Sequence, residues 1–153
     1  MTVNNNKTIL AVCNAGGKGK SNTLRAFANL LLSTYPTYKA IFPIPMVVHA
    51  ITDIRVVVEI NGVIIGVESQ GDPNTGLQGK LTDLAINYKC DIIICTTRTR
   101  GETVRAVKHV ANTYGYETIW TSTYQIVDRT KHILVNDLKA KHILELIQSL
   151  QLI

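Results

Sequence analysis

A glycine-rich stretch near the N-terminus combines the residue types that bind phosphate. It covers residues 14–22 and has the sequence Asn-Ala-Gly-Gly-Lys-Gly-Lys-Ser-Asn. Glycines take positive φ angles and let backbone N–H groups approach an anion, and the start of a following helix adds unpaired donors and a positive dipole end. In such a loop Lys20 would reach terminal phosphates and Ser21 would hold Mg²⁺. The residues predicted to bind phosphate are Asn14, Ala15, Gly16, Gly17, Lys18, Gly19, Lys20, Ser21 and Asn22.

The elements on either side of this stretch would hold it in place. Residues 8–13 form a continuous apolar run, which is typical of a central strand buried on both faces. After the loop, apolar residues recur at helical spacing and predict a first helix of roughly three turns that ends before Pro36. Strand, loop and amphipathic helix thus occur in the order that a phosphate-binding loop requires. An ordinary strand-to-helix turn with solvated lysines is the alternative.

The core Gly16-Gly17-x-Gly19-Lys20-Ser21 resembles the GGxGK[ST] loop, or Walker A motif, of P-loop NTPases. It is most similar to the deviant form of the ParA/MinD group, although Ala15 replaces the extra lysine that those proteins place before the glycine pair. Asn14 stands where the pattern G-x-x-x-x-G-K-[ST] has its first glycine, and we expect it to fit the turn because Asn tolerates left-handed geometry. The resemblance implies ATP or another NTP, with Mg²⁺, as the ligands.

The middle of the chain predicts a loop followed by a hairpin. Residues 34–52 hold three of the four prolines and show no clear periodicity. They predict a long loop of the kind that forms functional lids, or else an edge strand at Met46 to Ala50. Residues 53–60 and 63–68 are β-rich runs joined by Asn61-Gly62, which is a strong hairpin signal.

The hairpin brings candidate metal ligands toward the glycine-rich loop. If its second strand runs parallel to the first strand of the chain, its C-terminal end lies on the sheet edge where ligands of open α/β sheets bind. Glu68 and Asp72 would then face the site, and the antiparallel partner would bring Thr52 and Asp53 to the same edge. In P-loop proteins an acidic residue at the end of an apolar strand contacts the Mg²⁺ shell or orients water. Glu68 is therefore the first choice for this role and Asp72 the second. The alternatives are a surface carboxylate for Glu68 and a helix cap for Asp72.

This order of elements is similar to that of small GTPases. In that family a threonine before the hairpin and a D-x-x-G motif after it sense the terminal phosphate, and the matching positions here are Thr52 and Glu68-x-x-Gly71. The resemblance therefore implies Thr52 as a further group near the metal. The sequence contains no N-K-x-D or T-K-x-D motif to read guanine, so we expect ATP rather than GTP.

A second strand-to-helix corner follows. Residues 91–96 predict another buried strand, and Thr99 with Glu102 forms a capping box for a helix that Gly115 stops. Between them, Arg98 and Arg100 could clamp a phosphate or stabilise charge during its transfer. The alternative is that these arginines are solvated or paired with nearby acids.

The rest of the chain alternates in the same way. Helical spacing from Leu77 to Tyr88 predicts another helix, and residues 117–122 predict a last strand. Tyr124, just after it, could stack on a base or simply pack. Asn136 or Asp137 would cap a closing helix. The four histidines have no partners at ligand spacing, and we assign them no role.

Composition limits the class of protein. With 153 residues, of which 46% are hydrophobic, the chain suits one globular domain over residues 1–153. No run of 18 apolar residues and no signal-peptide pattern occurs, so we expect a cytoplasmic protein without a membrane partner. Three cysteines in apolar runs predict reduced core thiols. The net charge of +5 suits an anionic ligand but gives no support for nucleic acid.

These observations predict a three-layer α/β/α fold of the P-loop NTPase kind, with a mostly parallel sheet of about five strands and one antiparallel hairpin. The function expected first is Mg²⁺-dependent hydrolysis of a nucleoside triphosphate, with Lys20, Glu68, Arg98 and Arg100 as catalytic groups. A phosphotransferase for a small molecule or nucleotide, and a nucleotide-binding module without turnover, are the alternatives. A second substrate, or an activating protein or subunit, would be the partner.

Overall fold

The computed structural model describes residues 7–153, which form an α/β structure with a six-stranded mixed sheet and four helices. The strands are β1 (Thr8–Cys13), β2 (Lys39–Phe42), β3 (Arg55–Ile60), β4 (Val63–Glu68), β5 (Ile92–Thr97) and β6 (Glu117–Thr121). The helices are α1 (Lys20–Thr34), α2 (Leu77–Ile86), α3 (Glu102–Tyr114) and α4 (His132–Ser149), and a short 3₁₀ turn (Arg129–Lys131) precedes α4.

The strand order is β2-β3-β4-β5-β1-β6. Strand β1 is parallel to β5 and β6, and β4 is parallel to β5. Strand β3 is antiparallel to both of its neighbours. The C-terminal ends of β1, β4 and β5 therefore meet at one edge of the sheet, as the sequence predicted, and the loop after each strand opens there.

The β3–β4 hairpin confirms the prediction from Asn61-Gly62. These two residues have φ angles of 52° and 80°, the left-handed conformation that a two-residue hairpin turn needs. The register pairs Ile60 with Val63 at the turn and Arg55 with Glu68 at the open end.

Helices cover both faces of the sheet. Leu10 and Val12 of β1 belong to an apolar cluster with α1 and α4, and Ile9 and Ala11 belong to a second cluster with α2 and α3. The side chains of a strand alternate between faces, so apolar residues at successive positions are what a strand between two helical layers requires. The continuous apolar character of β1 and β5 is explained by this double burial.

Two element boundaries differ from the sequence prediction. The edge strand is Lys39–Phe42 rather than Met46 to Ala50. Prolines 43 and 45 precede the latter segment, and proline has no N–H to donate to a ladder. The closing helix begins at His132 rather than at Asn136 or Asp137. Asp128 accepts a hydrogen bond from the N–H of Thr130 at 3.0 Å and so starts the turn that leads into the helix earlier.

The predicted capping box of α3 is also wrong. The residue before the helix is Gly101, with φ 89° and ψ −145°, and no side chain caps it. This conformation is open essentially to glycine alone. The Thr103 hydroxyl instead accepts a hydrogen bond from the N–H of Arg98 at 2.9 Å, which fixes the corner between β5 and α3.

The cysteines are free thiols, as predicted. Cys90 and Cys95 are buried and Cys13 is half-buried. Burial raises the pKa of Cys90 to about 12, so its thiol stays protonated and unreactive at neutral pH. Within residues 7–153, no helix combines the length and the apolar character needed to cross a bilayer.

Gly71, in the loop after β4, packs so closely against β5 that we expect no side chain to fit there. A Cβ atom built on Gly71 would overlap the carbonyl group of Thr96. Gly71→Ala should therefore force the loop away from β5 and destabilise the protein by about 1–3 kcal/mol, the usual cost of overpacking. Chemical denaturation measures this directly.

Gly79→Ala is the matched control. Gly79 lies inside α2, and a Cβ there would meet nothing within 4 Å. Because alanine is a better helix former than glycine, this variant should gain up to about 1 kcal/mol. Equal stability of the two alanine variants would contradict the packing described for Gly71.

Candidate phosphate-binding site

The glycine-rich loop joins β1 to α1. Backbone conformation favours glycine at two of its positions, and close packing favours glycine at a third. Gly17 and Gly19 have φ angles of 71° and 77°, which favour glycine. Gly16 lies beneath the guanidinium group of Arg98, and a Cβ there would be only 2.7 Å from Arg98 Nη2. The loop therefore turns at two glycines and lets an arginine approach at the third.

Asn14 does not have the left-handed conformation that we expected of it, since it is not among the residues with positive φ. Its side chain instead holds the loop in position through hydrogen bonds. Asn14 Oδ1 accepts a hydrogen bond from the N–H of Ala15 at 2.8 Å, and Asn14 Nδ2 donates to Thr123 Oγ1 at 3.0 Å. Thr123 in turn donates to the carbonyl of Lys18 at 2.8 Å. An anchor between β1 and the end of β6 replaces the first glycine of the motif.

Lys20, the first residue of α1, is buried at the base of the loop. Its ammonium group donates to the carbonyl oxygens of Asn14 at 2.9 Å and Thr97 at 2.8 Å. Burial lowers the pKa of Lys20, and the carboxylate of Asp72, 4.0 Å away, acts in the opposite direction. The site thus contains a cation held between the C-terminal ends of β1 and β5.

A polar cavity of about 240 Å³ lies in front of this ammonium group. It is lined by Gly17, Lys18, Gly19, Lys20, Ser21, Asn22, Ser69, Asp72 and Thr96. The first N–H groups of any helix lack partners within the helix, and those of α1 belong to residues that line this cavity. The loop, the helix start and the lysine are therefore brought together as the sequence predicted.

Asp72 occupies the space between two cations at the cavity. Its Oδ1 atom accepts a hydrogen bond from Arg98 Nε at 2.9 Å and lies 4.0 Å from Lys20 Nζ. About half of the Asp72 side chain is exposed. This carboxylate partly neutralises the positive charges of Lys20 and Arg98 at the cavity.

Ser21 is hydrogen-bonded to Asp53, which lies between the long loop and β3. Ser21 Oγ is 3.1 Å from Asp53 Oδ1, and Ser69 Oγ donates to the same carboxylate oxygen at 2.8 Å. The N–H of Ile54 donates to Ser69 Oγ at 2.7 Å. Two hydroxyl groups and one carboxylate from three separate segments therefore meet beside the cavity.

The prediction that Glu68 faces the site is wrong, and the reason is the alternation of side chains along β4. Ile65 and Val67 point toward α1 and α4, so Glu68 points to the opposite face. There its carboxylate accepts hydrogen bonds from Arg55 at 2.9 and 3.1 Å, and Arg55 also pairs with Asp83. Burial raises the pKa of Glu68 and outweighs the opposing effect of Arg55.

Two further residues that the sequence predicted for the site, Thr52 and Arg100, do not line the polar cavity. The carbonyl oxygen of Thr52 accepts a hydrogen bond from Arg25 Nη1 at 2.8 Å, and its side chain is exposed. Arg100 is exposed after β5 and does not line the polar cavity. Of the two arginines at this corner, Arg98 reaches the loop.

A second cavity of about 150 Å³ adjoins the loop on its other side. It shares Gly17, Lys18, Gly19 and Asn22 with the first cavity and is closed by residues from the β6–α4 region, chiefly Tyr124, Gln125, His132 and Asn136. Gln125 Nε2 donates to the carbonyl of Lys18 at 2.6 Å, and the hydroxyl of Tyr124 is 2.6 Å from His142 Nδ1. The sequence predicted Tyr124 as a group that could stack on a base, whereas it indicated Asn136 only as a helix cap.

Comparison of the chain with protein-family models, with curated proteins and with solved structures gives no match.

Neutralising Asp72 should strengthen phosphate binding. Asp72→Asn removes the carboxylate that competes with a phosphate for Lys20 and Arg98, and a charge pair at 4 Å is worth about 1 kcal/mol in water. We expect affinity for inorganic tripolyphosphate, measured by calorimetry in EDTA, to rise by that amount or more.

Glu145→Gln, which removes the same charge from the exposed surface of α4, should leave the tripolyphosphate affinity of the protein unchanged. Weaker tripolyphosphate binding by the Asp72→Asn variant would contradict the competition and favour a direct role of Asp72 in binding the ligand.

Proposed function

We propose that this protein binds nucleoside triphosphates and hydrolyses them with Mg²⁺, using ATP rather than GTP. The observation that carries the proposal is the buried ammonium group of Lys20, held at the base of a glycine loop and facing a polar cavity. A buried cation that shares its cavity with a helix start is suited to an anionic ligand with several negative charges.

The loop would act mainly by positioning and charge. Backbone N–H groups of residues 16–20 would surround the phosphates, and Lys20 would neutralise the terminal ones. In phosphoryl transfer most of the catalysis comes from such positioning and electrostatic stabilisation. The hydroxyl of Ser21 is a hard oxygen ligand of the type that Mg²⁺ prefers, and the bound metal would neutralise charge on the phosphates.

Arg98 is the side chain best placed to stabilise charge at the terminal phosphate. Its guanidinium group lies over Gly16 and is paired with the half-exposed carboxylate of Asp72. Displacement of that carboxylate by phosphate would leave Arg98 free to contact the phosphate. An activating protein or a second subunit would add further positive charge and speed up turnover, as arginine residues supplied by a partner do in this chemistry.

The second cavity supports a nucleoside as part of the ligand. It adjoins the loop directly and offers the aromatic ring of Tyr124 beside the amides of Gln125 and Asn136. With the phosphates in the first cavity, the base would lie in the second. The lack of an N-K-x-D motif in the sequence is why we propose adenine rather than guanine.

Lys20→Ala should abolish tight nucleotide binding. Removal of a buried, charge-paired donor costs about 2 to 5 kcal/mol, so calorimetric titration with Mg²⁺ and a non-hydrolysable ATP analogue should show a loss of that size. Lys108→Ala removes the same charge from the exposed side of α3 and should bind the analogue as wild type does. Unchanged affinity in the Lys20→Ala variant would contradict the proposal.

Phosphate release from ATP then separates the three possible activities. A hydrolase releases phosphate without any acceptor, and a phosphotransferase consumes ATP only when an acceptor is added. Tight binding with no turnover under any Mg²⁺ condition would indicate a binding module.

Tyr124→Ala should weaken ATP binding without affecting inorganic tripolyphosphate. Loss of one base–aromatic stack costs about 1–3 kcal/mol, and tripolyphosphate has no base to stack. Tyr124→Phe keeps the ring and removes only the hydroxyl contact with His142, so it should retain the affinity of the wild type. An equal effect of Tyr124→Ala on both ligands would place the base elsewhere.

A further inference from the structure

The carboxylates around the polar cavity differ in how their charge is balanced. Asp72 is paired with Arg98, and Glu68 is paired with Arg55 on the opposite face of the sheet. Asp53 is different, because within residues 7–153 no Lys, Arg or His nitrogen lies within 4.0 Å of its carboxylate oxygens. Among the described residues, the hydroxyl groups of Ser21 and Ser69 are the hydrogen-bond partners of its carboxylate.

These hydroxyl groups belong to residues that line the cavity. Ser21 and Ser69 both lie within hydrogen-bond distance of Asp53 Oδ1, at 3.1 and 2.8 Å. Ser69 is itself fixed, since its carbonyl oxygen accepts a hydrogen bond from Thr96 Oγ1 at 2.7 Å. Asp53 is exposed and can therefore exchange these contacts for a ligand from solvent.

We propose that Asp53, together with Ser21, binds the Mg²⁺ ion that accompanies the nucleotide. This inference rests on the proposed function. Mg²⁺ is usually bound by one or two carboxylates together with substrate phosphates and water, rather than by a cage of protein ligands. One carboxylate and one hydroxyl beside a phosphate-binding cavity match that donor set.

A donor set of this kind does not form a cage of several carboxylate, thiolate or imidazole ligands. Within the described part of the chain, no group of three or more His, Cys, Asp or Glu side chains could hold a metal ion. A site with a single carboxylate needs the phosphates to complete it. We therefore expect the protein to bind Mg²⁺ tightly only in the presence of the nucleotide.

Asp53→Asn separates the charge of this residue from its structural contacts. The amide keeps an oxygen that can accept hydrogen bonds from Ser21 and Ser69, so the loops should stay joined while the negative charge is lost. Affinity for a non-hydrolysable ATP analogue is measured by calorimetry in Mg²⁺ and in EDTA. We expect the enhancement by Mg²⁺ to fall by about tenfold or more, with affinity in EDTA equal to that of the wild type or slightly higher.

Glu145→Gln controls for net charge and should keep the full enhancement. If Asp53→Asn keeps it as well, the assignment of Asp53 is overturned while nucleotide binding stands. If the wild type binds the analogue in neither condition, the proposed function fails and this inference fails with it.

A second variant covers the case in which Asp53→Asn does not fold, as judged by circular dichroism. Asp53→Cys replaces the hard carboxylate with a soft thiolate, which prefers Cd²⁺ to Mg²⁺. We expect Cd²⁺, and not Mg²⁺, to enhance binding of the ATP analogue to this variant relative to EDTA. Full enhancement by Mg²⁺ in Asp53→Cys would contradict the assignment.

Discussion

The ammonium group of Lys20 connects the fold of this protein to its candidate site. A buried cation is costly unless polar groups surround it. Here the carbonyl oxygens of Asn14 and Thr97 accept two of its three N–H bonds. These carbonyls belong to the ends of β1 and β5, and the lysine itself begins α1. The same contacts that join two strands and a helix therefore place a positive charge at the base of the glycine loop.

The alternation of side chains along the strands then determines which residues line the cavity together with Lys20. At the C-terminal end of β4, Glu68 pairs with Arg55 on one face of the sheet, whereas the next residue, Ser69, lines the cavity. Both faces of β4 are buried beneath helices, so its sequence shows no polar alternation to reveal which face each residue takes. This is why the sequence placed Glu68 at the right edge of the sheet but on the wrong face, whereas Asp72, the second choice, does line the cavity.

Local signals predicted most of the fold. Continuous apolar runs located β1 and β5, and Asn61-Gly62 located the hairpin, because in each case the determining interactions lie within a few residues of one another. The edge strand β2 and the start of α4 were misplaced because weak local patterns there are overruled by pairing with β3 and by the turn at Asp128.

In the candidate site too, local sequence signals predicted some features, whereas contacts between distant segments determine others. The glycine loop was recognisable because its residues are contiguous, whereas Gln125 and Asn136 come from distant segments. The hairpin prediction brought Asp53 to this edge of the sheet but did not reveal its contact with Ser21. No periodicity in the sequence connects Asp53 to Ser21, and only the packing of the long loop against α1 brings them within 3.1 Å of each other. Asn136 lies within α4, and its position beside Gly19 depends on how α4 packs against α1.

The most direct test of a phosphate site at this loop is to observe the loop itself during a titration. We would record ¹H–¹⁵N spectra of the labelled protein while adding ATP and Mg²⁺. The account predicts that the amide resonances of residues 16–21 shift first and furthest, and that inorganic tripolyphosphate shifts the same set. Spectra in which these amides stay in place, or in which the largest shifts fall away from the glycine-rich loop, would contradict it.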